Sequence, residues 1–125
     1  MPVAVYEIDA SEVESFKKFL EYDPYLDKAL SEEELKKLNS DKLANIIFAR
    51  QEYSLRDGRA LGMEDGKYYL YLKANDEFLA LAQEKLLKSF KSIKRASKVA
   101  EEKFNAIIKE EEDRANAGVG AIFGG

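Results

Sequence analysis

From Asn75 to Asn116 the chain runs 42 residues without a proline or a glycine, and most of those residues are strong helix formers. Asn75 followed by Asp76 and Glu77 is a helix start, a capping side chain with acids in the first turn. One helix of that length would reach about 60 Å. That exceeds the width of a domain built from 125 residues. The stretch, about 75–116, must therefore break, and Ser92 to Ser97 is the expected place, or it must project beyond the rest of the fold.

The remainder of the chain is short elements punctuated by turns. Residues Val3 to Ile8 alternate as a strand, with Val3 and Val5 on one side and Ala4, Tyr6 and Ile8 on the other. Ser11 with Glu14, and Ser31 with Glu34, have the spacing of capping boxes and predict two helix starts. The first helix turns Val13, Phe16, Phe19 and Leu20 inward, and Asp23-Pro24 ends it and opens a short helix. Leu43 to Leu55 fits helix or strand spacing, and Asp57-Gly58 just beyond it favours a strand and hairpin. Asp65-Gly66 follows the short segment Arg59 to Met63, and Lys67 to Lys73 is the clearest strand of the chain. The expected fold is α+β. A small, mostly antiparallel sheet, the N-terminal strand plus a central three-strand meander, carries short helices on one face and a long C-terminal amphipathic helix. Residues 1–117 make one domain, and the glycine-rich 118–125 (GVGAIFGG) a flexible tail. The expected core is Val5, Phe16, Phe19, Leu20, Ile47, Tyr53, Leu70, Leu72, Leu79, Leu86, Phe90 and Ile93. Tyr69 and Tyr71 face away from Tyr68, Leu70 and Leu72, so a helix must cover them or they form an exposed aromatic surface.

Composition narrows the chemistry. The chain has no cysteine and no histidine. That removes disulfides, thiolate ligands, the commonest metal ligand and the commonest general base. No metal site and no cofactor is expected. Glu64-Asp65 lacks the spacing of a calcium loop. Dense Lys and Glu, with no Trp either, give a thermophile-like profile. No apolar run approaches a membrane span, and Met1 to Asp9 lacks a basic leader region, so a cytoplasmic protein with no membrane partner is expected.

Four features carry functional expectations. Leu79, Leu86, Ile93, Ala100 and Ile107 recur every seven residues, with Phe90 and Phe104 at companion positions. Such a seam faces a partner helix in coiled coils. It makes a non-enzymatic interaction module, self-associating as a dimer or higher oligomer or pairing with another protein, the first expectation. Second, Lys85 to Lys98 holds six basic residues and no acid in a chain of net charge −4. At 100° per residue Lys88, Lys91, Arg95 and Lys98 share a face, with Lys94 nearby, and such a stripe can track phosphates or a nucleic acid. Third, Pro2 precedes a strand. The opening PVAVYEI followed by a helix resembles the start of tautomerase-superfamily enzymes. That resemblance implies Pro2 as a general base, with Arg50, Arg56 or Arg59 holding a substrate carboxylate. Gly124-Gly125 is similar to the diglycine end of ubiquitin-like modifiers and sulfur carriers, which implies carrier chemistry on the terminal carboxylate.

Overall fold

The computed structural model describes the backbone of residues 1–122 and the side chains through Ala117. The tail expected over 118–125, with its Gly124-Gly125 end, thus lies wholly outside the described side chains, and 123–125 lies outside the described residues. The fold is α+β. Strands β1 (Val3–Asp9), β2 (Glu52–Asp57), β3 (Lys67–Lys73) and β4 (Lys94–Arg95) form one antiparallel sheet in the order β2-β3-β1-β4. The helices are α1 (Val13–Glu21), α2 (Glu32–Ser40), α3 (Asp76–Ser89) and α4 (Lys98–Ile122). Among the described residues no helix is long and apolar enough to cross a membrane.

The long helical stretch breaks where Ser92 and Ser97 stand. Helix α3 starts on Asn75, whose side chain accepts the Phe78 amide, and ends at Phe90, which turns to an extended backbone. The exit is stitched to the end of β1. The Ser92 amide donates to the Glu12 carboxylate at 2.7 Å, and the Ser92 hydroxyl accepts the Asp9 amide at 3.1 Å. The chain then pairs with β1, Tyr6 opposite Arg95 and Glu7 opposite Lys94. Ser97 restarts a helix by accepting the Ala100 amide at 3.2 Å, as a capping hydroxyl does. A two-residue edge strand thus replaces the middle of a single rod, and α4 is sent to the opposite face of the sheet.

Both faces are therefore covered, where the sequence suggested helices on one. Ala4, Tyr6 and Ile8 of β1 and Leu70 and Leu72 of β3 pack with Phe16, Leu20, Ile46, Phe48, Ala82, Leu86 and Ile93. On the other side Val5, Tyr69 and Tyr71 pack with Leu61, Ala96, Ala100 and Phe104. Tyr69 and Tyr71 are the tyrosines that alternation placed opposite to Leu70 and Leu72, and α4 covers them. Its middle is tethered by Arg56, which grips Glu111 with both terminal guanidinium nitrogens and lies 5.8 Å from the Phe104 ring centre.

Three local expectations are corrected. Ser31 caps α2 through the Glu34 amide, but Ser11 caps nothing. The α1 segment enters through a tight turn over Ala10–Glu12, and Glu12 is drawn away to Ser92. Arg59 to Met63 is not a strand. Asp57 accepts the Arg59 amide and starts a tight turn, Gly58–Leu61, that Gly62 closes at φ 69°. β2 consequently pairs with β3 directly, Glu52 opposite Lys73 through Asp57 opposite Tyr68. Finally, Phe48 and Phe104 belong to the buried core, while Phe19, Tyr53, Leu79 and Phe90 pack at its margin.

Candidate functional site

The residues that the sequence grouped by seven-residue spacing do not form one seam. Leu86 and Ile93 are buried on one face of the sheet, with Leu79 and Phe90 packed beside them. Ala100 and Phe104 are buried on the other face, with Ile107 at the edge. The physical reason is the break after Ser89: a heptad seam needs a continuous helix, and here the same side chains fill the protein's own two cores. Past Ile108 the described part of α4 reads Lys109 to Ala117, whose only apolar side chains are alanines.

The basic stripe is dispersed by the same break. Lys88 lies on α3 and pairs with Glu84 at 3.1 Å. Lys94 and Arg95 lie on the edge strand and reach Glu7 at 3.0 Å and Glu101 at 3.2 Å. Lys91 and Lys98 are exposed and make no salt bridge among the described residues.

Pro2 is exposed at the strand start, its carbonyl accepting the Ala74 amide. The three arginines that the tautomerase resemblance implied as substrate holders are each engaged elsewhere. Arg50 binds Asp23, Arg56 binds Glu111 and Arg59 binds Asp65. They do not converge on Pro2.

A different site emerges at the end of α1. An apolar hollow of about 500 Å³ opens between the Tyr22–Leu30 turns, α2, the segment 44–48 and α3. Phe19, Pro24, Leu30, Leu38, Ile46, Ile47 and Phe48 make its walls, and Glu34, Lys37 and Lys85 bring charge to it. Helix α2 forms one side and has no fully buried residue of its own, so half-buried Leu35 and Leu38 and a set of polar contacts hold it in place. Asn45 donates to the Leu38 carbonyl at 2.6 Å, which fixes its amide so that Oδ1 receives the Tyr25 hydroxyl proton at 2.7 Å. That hydroxyl also meets the Asn39 amide. Arg50 lies 5.1 Å from the Tyr25 ring centre and hydrogen-bonds Asp23 at 2.8 Å, so its guanidinium holds the Asp23 carboxyl below the usual range.

Lys85 is the unusual member. Its Nζ donates to the Ile46 carbonyl at 2.9 Å and sits 5.6 Å from the Phe19 ring centre. It makes no salt bridge among the described residues, and burial pulls its pKa below the ordinary lysine value, with Asp41 opposing. The stability consequence has a definite sign. The folded chain binds this proton less tightly than the unfolded chain. Charged Lys85 therefore costs stability below its folded pKa, and the cost is relieved as pH rises toward the ordinary value near 10.4. Urea unfolding of Lys85→Met and of the unchanged protein should accordingly diverge most in the variant's favour near neutral pH and shift against it toward pH 10. A stability difference that stays flat over that range would contradict the buried-cation assignment.

Sequence reasoning assigned Lys85 to the basic run and overlooked its position. At 100° per residue it lies about 20° from Phe78, flanked by Leu81, Ala82 and Leu86. A lone lysine in the centre of an apolar helix stripe was the available signal. Compared with known proteins, the chain matches no family model, no curated protein and no solved structure.

Proposed function

We propose that this chain is a non-enzymatic binding module whose working surface is the hollow beside α2, where it takes up a small molecule with an apolar body. The class is the one expected from composition, an interaction protein rather than a catalyst. The place differs, because the helix residues first expected to meet a partner pack inside the fold. The observation that carries the reading is an open apolar hollow of about 500 Å³ with one half-buried, unpaired cation in its lining. Small-molecule sites fall in the range of about 300–1,000 Å³, are mostly apolar and hold few polar groups. Phe19 of α1, Lys85 of α3 and Ile46 to Phe48 line one side of the hollow, and Pro24, Leu30 and Leu38 line the other. Helix α2 rests on half-buried Leu35 and Leu38 and on the Tyr25–Asn45 contact, so it can yield to an entering ligand at small cost.

The test is titration with Nile red, an uncharged dye that brightens in apolar surroundings. Saturable brightening is expected, and it should be lost in Ala44→Phe, which places a ring in the hollow. Equal dye binding by the two proteins, or none by either, would reject the hollow as the working surface. Circular dichroism checks that the variant keeps its fold.

A further inference from the structure

We infer that the molecule bound in this hollow is an apolar-chain carboxylic acid whose head group pairs with Lys85. The inference rests on the hollow being the binding surface and adds the chemical class of what fills it. Lys85 has three N–H donors and gives one to Ile46. Two remain for a ligand, and no protein carboxylate among the described residues lies within ion-pair distance. A half-buried ammonium in an apolar wall costs stability unless an anion joins it. An entering carboxylate restores that loss, and its chain covers Phe19 and Phe48 at the same time.

The charges that line the hollow favour a monoanion. The hollow is lined by Lys85 and Lys37 against Glu34, a net of one positive charge. One carboxylate neutralises that set, whereas a phosphate near two negative charges would overshoot it. A cationic head would meet Lys85 and Lys37 with only Glu34 to receive it. An uncharged head would leave the ammonium unpaired. Asp41 acts on Lys85 from outside the lining and offsets part of that positive charge, and the Tyr22 hydroxyl in the lining is engaged by Asp27 at 2.8 Å.

Displacement of bound Nile red by three probes with the same chain tests the assignment: decanoate, decanol and decyltrimethylammonium at neutral pH, below their micelle thresholds. Decanoate should displace the dye at about one-tenth the concentration that decanol needs, the size expected of a charge-assisted hydrogen bond. The cationic probe should be the weakest. In Lys85→Met the advantage of decanoate over decanol should vanish, while in Lys91→Gln, an exposed position outside the lining, it should persist. If decanoate and decanol displace the dye equally from the unchanged protein, the acid assignment falls and the hollow still stands as a binding site. If the cationic probe is strongest, the sign of the site is wrong. If the dye never binds, the proposed function fails first and this inference with it. Should Lys85→Met not fold, the probe series on the unchanged protein decides alone.

Discussion

Phe104→Ala should lower the stability of the folded chain by about 3–5 kcal/mol, the cost of emptying a fully buried phenylalanine site. Phe104 has no exposed surface, and its ring lies 5.4 Å from that of Tyr71. The substitution removes the main side chain by which α4 grips the sheet and takes away the ring beneath Arg56. Domains are held by only about 5–15 kcal/mol in total, so this is a large share. The same residue belongs to the seven-residue pattern, which gives the experiment a second use. If Phe104 fills the chain's own core, the urea midpoints of both proteins should be independent of protein concentration. A seam between two copies would make them rise with concentration, because binding to the folded state stabilises by mass action. A loss below about 1 kcal/mol, or midpoints that climb with concentration, would return Phe104 to an intermolecular role.

The sheet strands were legible because alternation is a local signal. Val3 to Ile8 and Lys67 to Lys73 lie within or coincide with β1 and β3, and Ser31 and Asn75 cap helices as their types suggest. The errors have one physical origin, which is that tertiary contacts outbid local spacing. Ser11 has a capping sequence, but Glu12 finds the Ser92 amide across the fold. The heptads are perfect in number, yet two serines in a stretch of helix formers give the backbone other partners and turn it back along β1. Once it turns, Leu86 and Phe104 lie on opposite sides of the sheet. The hollow was illegible for a related reason. Its walls come from α1, the 44–48 segment and α3, which no window of sequence brings together. Only Lys85, set in an apolar stripe, marked it from within one element.

Gly58→Ala should be the most damaging small substitution in the chain, at about 3 kcal/mol or more. A Cβ on Gly58 would sit 2.2 Å from the Glu64 carbonyl oxygen, 3.0 Å from that of Lys67 and 3.1 Å from the Tyr69 ring. Two of these are backbone atoms, so no rotamer change relieves the overlap, and the loop from β2 to β3 has to move. Moving it strains the 2.7 Å bond from the Met63 amide to the Gly58 carbonyl and shifts Leu61 out of the layer under α4. Overpacking commonly costs about 1–3 kcal/mol, and a backbone overlap belongs at or above the top of that range. Gly62→Ala is the comparison that isolates the cause. Gly62 has φ 69° and open space around it, so an alanine there meets only the left-handed backbone penalty of about 1–2 kcal/mol. Urea unfolding of the two variants should therefore separate them by more than 1 kcal/mol, with Gly58→Ala the weaker. The reverse order would mean that Gly58 and Glu64 are not in close approach in solution. The direct pairing of β2 with β3 around this loop would then need a different turn.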